Sequence, residues 1–158
     1  MYQRNRAVSY AHKWAFDRNP NYLDFSQIGG DCTNFISQCL FAGGIPMMYQ
    51  KDLGWYYTSS YRRAPAWTSV QYLYQFMRSH KTPGPRADEV SLEDLEVGDV
   101  IQLAFGGGGF AHSLFVVEKQ GNQAQDILIA THSQDSDYRA LSTYENVSQY
   151  RYLKIMNE

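Results

Sequence analysis

A cysteine set between a glycine pair and a helical apolar run constrains this chain more than any other feature. The stretch reads Gly29-Gly30-Asp31-Cys32-Thr33-Asn34-Phe35-Ile36-Ser37-Gln38-Cys39-Leu40-Phe41-Ala42-Gly43-Gly44. Phe35, Ile36, Cys39 and Leu40 recur at helical spacing, Asp31 is an N-cap residue type, and the second glycine pair stops the helix. Cys32 therefore falls at the first helical position. Unpaired backbone N–H groups and the positive end of the helix dipole favour an anion there, which predicts a lowered thiol pKa and a place for an oxyanion. Cys39 lies on the apolar stripe and is expected to be a buried filler. The polar neighbours of Cys32 point instead to a nucleophile.

Length and composition narrow the class. The 158 residues carry a formal net charge of −2, enough chain for one domain spanning 1–158 with a sizeable core, and no basic block that would mark nucleic acid as a partner. Two cysteines seven apart on one helix sit roughly 10 Å from each other and cannot pair. No run is apolar enough for a secretion signal or a membrane span. The expectation is either work inside the cell or a domain of a longer exported protein.

Along the chain, Ala7, Val8, Ala11, Trp14 and Ala15 predict a surface helix docked by its Trp14 face. Asn19-Pro20-Asn21 ends it, and a loop through Tyr22, Asp24 and Gln27 leads to the cysteine helix. The aromatic stretch from Met48 to Ala66 has no clear period and is expected to be an ordered loop beside a cleft. Its aromatics and Arg62-Arg63 are candidates for substrate contact. Helical spacing returns from Trp67 to Arg78, with Thr68 or Ser69 as cap, and Ser91 to Leu95 predicts a helical turn. From Val97 the period becomes strand-like, with strands expected over 99–105, 112–118, 126–132 and 150–156 and a flexible tip at Gly106 to Gly109. Helices first and an antiparallel sheet second predict an α+β domain with the cysteine helix packed on the sheet.

The segment from Gly29 to Pro46 resembles the signature of the bacterial putative amidase domain family, itself similar to the NlpC-type and CHAP groups of papain-like cysteine hydrolases. Arg6 to Ala11, Trp55-Tyr56, Trp67-Thr68, Val97 to Ile101 and Ala111-His112-Ser113 look like that family in the same order. The resemblance implies a papain-like or NlpC-like fold and makes His112, rather than His12 or His80, the general base for Cys32. It also makes Tyr22 or Gln27 a candidate to complete an oxyanion hole, and Asp31, Trp55 and Trp67 candidate substrate contacts.

The third member follows from hairpin geometry. A turn at Gly121-Asn122-Gln123 makes facing residue numbers sum to about 244, which sets His132 opposite His112. NlpC-type enzymes resemble this arrangement with a histidine third. A slip of register leaves Asp135 or Asp137 as the alternative. A metal centre has no support in the motifs, since Cys-x-x-Cys, His-Glu-x-x-His and His-x-His are all absent. No cofactor is expected. The resulting expectation is cysteine-dependent amide hydrolysis, and the resemblance implies a peptide or peptidoglycan fragment as substrate and an exported or cell-wall role if the domain belongs to a longer protein. The alternatives are an inactive peptide- or glycopeptide-binding module of the same fold, a deamidase or an acyltransferase. Oligomeric state is not legible.

Overall fold

Apolar residues spaced for helices in the first half and for strands in the second divide the chain into two layers. The computed structural model describes residues 1–157. Helix α1 (Arg4–Trp14) buries Ala7 and Ala11, and α2 (Cys32–Ala42) is buried from Cys32 through Leu40. A short ribbon, β1 (Tyr57–Ser59) with β2 (Arg62–Arg63), precedes α3 (Pro65–Thr68) and α4 (Val70–Arg78). The remaining strands are β3 (Ala87–Val90), β4 (Val100–Phe105), β5 (Phe110–Lys119), β6 (Ile127–Thr131), β7 (Ser136–Ala140) and β8 (Val147–Ile155). The last six form one antiparallel sheet in the order β3-β8-β4-β5-β6-β7. The fold is thus α+β.

Alternation along β5 distributes its side chains between two cores, as a strand with period two must. Phe115 and Val117 join Phe35, Ile36, Trp55 and Trp67 on the helix side. Leu114 and Val116 pack with Ile101, Leu103, Ile129 and Leu141 on the other. Burial on both faces explains why β4 reads as an almost unbroken apolar run.

The structure departs from the periodicity in four places. The expected helix over 67–78 is broken at Ser69, whose extended backbone (φ −110°, ψ 129°) ends α3 while its hydroxyl accepts the Tyr72 N–H at 3.2 Å to start α4. The stretch over 48–66 contains the β1–β2 ribbon, which is too short to generate a period. The edge strands β3 and β7 were not expected, and β8 begins three residues before the predicted strand. Strand β6 starts late because Gln123 and Asp126 cap a 3-10 turn over Ala124–Asp126.

The two ends of the described chain meet in one clasp. Arg4 donates to the Val97 carbonyl at 2.9 Å, to Asp99 Oδ1 at 2.7 Å and to the Ile155 carbonyl at 2.6 Å, and the Ile155 N–H returns a bond to Asp99 at 2.9 Å. Tyr2 donates its hydroxyl to the Gly98 carbonyl at 2.7 Å. Gly98 is required there, since its φ is +88° and a Cβ would lie 3.1 Å from both the Tyr2 oxygen and the Arg4 side chain. Among the described residues no helix is long and apolar enough to cross a membrane.

Candidate active site

The turn before α2 positions Cys32. Gly30, at φ +102°, donates its N–H to the Phe25 carbonyl at 3.0 Å, a closure that a residue with a side chain rarely adopts. Asp31 occupies the N-cap position, but its carboxylate does not cap the helix. It turns back instead, with Oδ1 accepting from the Phe25 N–H at 2.8 Å and from Asn34 Nδ2 at 2.9 Å. Oδ2 takes the Nδ1 of His132 at 2.5 Å. Asp31 is fully buried and acts as an internal anchor of the turn, not as the substrate contact the sequence suggested.

The Cys32 sulfur lies against the peptide that joins His112 to Ser113. The Ser113 N–H and the Thr33 N–H and hydroxyl act on the thiol, with Thr33 Oγ1 at 3.8 Å from the sulfur and 3.0 Å from Ser113 Oγ. These donors favour the thiolate, yet burial outweighs them. At 7 % exposure, desolvation pushes the Cys32 thiol above its ordinary value, and the Asp31 carboxylate adds to the rise. The lowering expected from the helix terminus is therefore overturned: backbone donors are present, but a nearly dry thiol resists ionisation. Cys39 is completely buried and pushed up further, and both cysteines are free.

His112 lines a cavity of about 580 Å³ together with Ser133, Arg139 and Tyr144. Its ring sits 5.8 Å from that of Tyr144 at a tilt of 60°. Burial first, and the charge of Arg139 second, push the imidazole down to about 4. At neutral pH the Cys32 thiol and the His112 imidazole are thus both uncharged. Cys32 is also near enough to Tyr144 for its charge to raise the phenol, with burial the larger cause.

The register of the β5–β6 hairpin differs from the predicted one. Phe115 faces Ala130 and Val116 faces Ile129, and the pairing shifts again at Val117 to set Glu118 against Leu128. Extended by two residues, that register puts 132 opposite 113 rather than 112, so the two histidines project to opposite faces. His132 is 1 % exposed and stacks on Phe35 of α2 at 4.2 Å. Its Nδ1 is held by Asp31, and its Nε2 lies 2.8 Å from the Trp14 carbonyl and 3.3 Å from Arg18 Nη1. The expected contact with His112 is absent among the described residues. Asp135 is held by a two-pronged Arg18 contact at 2.9 and 3.0 Å, and Asp137 by His12 at 2.8 Å. None of the three candidates is hydrogen-bonded to His112.

The remaining candidates separate by burial. Trp55 and Trp67 are fully buried, their indole N–H groups donating to Ser37 Oγ and Asn34 Oδ1 at 3.0 Å each. They are core residues that fasten α2, and the substrate contact expected of them is corrected. Tyr22 is half-buried in an aromatic group with Tyr57 and Trp67, at 5.0 and 6.0 Å between rings. Gln27 is exposed in the turn over 26–29. Arg18, Arg139 and Tyr144 were not singled out from sequence. The latter two reach the cavity through β7 and the segment after it, which carry no recognisable period. Among the described residues no group of three or more His, Cys, Asp and Glu side chains is placed to hold a metal ion.

Against known proteins, a family model described as a putative amidase domain matches residues 1–155. A protein of Bacillus subtilis (strain 168) described as "Uncharacterized protein YhbB" is 41 % identical over 156 residues, covering 95 % of this chain and 47 % of that protein. The chain thus spans about half the length of this curated relative. No solved structure matches it. The family description points to hydrolysis of amide C–N bonds in general. With the match running from the first residue through the end of β8, the chain belongs to the putative amidase domain family.

Proposed function

We propose that this domain is a papain-like cysteine hydrolase that cleaves amide bonds through a thioester, with peptides of the bacterial cell wall as its substrate class. The observation that carries the reading is Cys32 at the start of α2 with its sulfur against the His112–Ser113 peptide, beside a cavity that His112 lines. In the first step, His112 takes the thiol proton as the sulfur attacks the amide carbon. The oxyanion that forms is held by the Cys32 backbone N–H at the helix start. His112 then gives the proton to the departing amine as the C–N bond breaks. Water, deprotonated by the same imidazole, opens the thioester and restores the thiol. His132 serves through Asp31, fixing the turn that carries Cys32.

A binding module without turnover is favoured by one observation, the buried thiol with its raised pKa. Incubation with peptidoglycan fragments and a panel of acyl amides, read by product mass, separates the two. The hydrolase releases new amines and carboxylates, and Cys32→Ser and His112→Ala each lower the rate by roughly a hundredfold or more. Binding by the wild-type protein with no product at any pH gives the domain to the other class.

A further inference from the structure

The wall of the His112 cavity holds a cation that no acidic side chain neutralises. Arg139 is fixed on three sides: Nε donates to Thr143 Oγ1 at 2.8 Å, Nη2 reaches the Thr143 carbonyl at 3.4 Å, and the guanidinium carbon lies 3.7 Å over the Tyr144 ring. Beyond the Thr143 bonds and a side-chain interaction with the Tyr144 hydroxyl, the Arg139 guanidinium makes no hydrogen bond among the described residues. Glu145 lines the same cavity, and none of the ion pairs among the described residues joins it to Arg139. A guanidinium immobilised by its neighbours has already lost the rotamer freedom that binding would otherwise cost, and its planar face and free N–H groups match a carboxylate.

We infer that Arg139 is a carboxylate-recognition residue in the cavity beside His112, so that the preferred amides carry a free carboxylate close to the bond that is cleaved. This rests on the hydrolase reading given above and names the substrate class of that site. A second effect follows from position. Arg139 is one of the two causes that hold the His112 imidazole down, and a bound carboxylate offsets that charge. The acidic substrate therefore strengthens the base that acts on it.

The test uses matched N-acetylated peptides that differ only by Glu or Gln at the positions flanking the amide. At one position or more, kcat/KM is expected to favour Glu by about tenfold, the usual scale for one charge-assisted contact. Arg139→Gln should bring that ratio to within about threefold of unity, and Arg139→Lys, which keeps the charge and loses the planar fork, should retain part of it. A ratio near unity in the wild type, or one that survives Arg139→Gln, overturns the inference. The same pairs titrated calorimetrically into Cys32→Ala protein keep this result distinct from turnover. Glu-selective binding that vanishes with Arg139→Gln in a protein without hydrolysis leaves the carboxylate site standing and removes the hydrolase. Hydrolysis without Glu selectivity in either assay does the reverse.

Discussion

At the scale of single residues, the proposed chemistry turns on two neutral groups. Cysteine hydrolases are commonly explained by an ion pair formed before substrate arrives. Here burial raises the Cys32 thiol and lowers His112 to about 4, so both shifts oppose that pair. In the proposed mechanism the proton moves only when the amide is in place, and the oxyanion donors carry more of the barrier. The pH dependence follows. His112 acts as a base when unprotonated, so the acid limb of kcat/KM is expected near pH 4 rather than at the ordinary histidine value of 6.5. Stability follows the same sign. The unfolded chain binds the His112 proton more readily than the native one between about pH 6.5 and 4, so this residue's contribution is present above that window and declines as pH falls through it. Rate profiles with a neutral substrate, beside urea melts of His112→Ala over the same range, check both.

At the scale of elements, the join between α1, the turn over 25–31 and β6 decides how Cys32 is held. His132 bonds Asp31 and the end of α1 at once, while Asp31 fixes the turn through the Phe25 N–H. His132→Ala leaves a buried carboxylate short of a partner and opens a void against Phe35, which should cost roughly 2–4 kcal/mol by urea unfolding. Asp135→Ala removes only the partly exposed Arg18 contact and should cost less than about 1 kcal/mol. Much of this element structure was legible: α1, α2 and the central strands announce themselves because each buries a face with its own period. Cys32 stands out by its place between a glycine pair and an apolar helical run, whereas His112 was singled out among the histidines by the family resemblance. The hairpin register was not legible, because a bulge at Val117 leaves no trace in an alternation that still looks regular. One residue of slip was enough to exchange His132's expected partner for Asp31. β7 carries Arg139 to the cavity, yet its polar, half-exposed sequence looks like a loop until neighbouring strands supply its hydrogen bonds.

At the scale of the whole molecule, the helix layer covers one face of the sheet, and the cavity opens where β5, β7 and the segment after β7 come together. The two layers are also tied at the far end by Arg4. Its side chain is 12 % exposed and that of Asp99 is fully buried; burial pushes the Asp99 carboxyl up even against the pull of Arg4. Arg4→Ala would leave that carboxylate unpaired, with an expected loss on the order of 3–5 kcal/mol. The loss should be smaller in acid, since protonating Asp99 removes the orphaned charge, and melting Arg4→Ala and wild-type protein in parallel at two pH values measures this. The clasp has a mechanical meaning as well. Arg4 grips the end of β8 through the Ile155 carbonyl, so the start of α1 and the end of β8 are held at one point. Tension drawing α1 and β8 apart would load this single knot first.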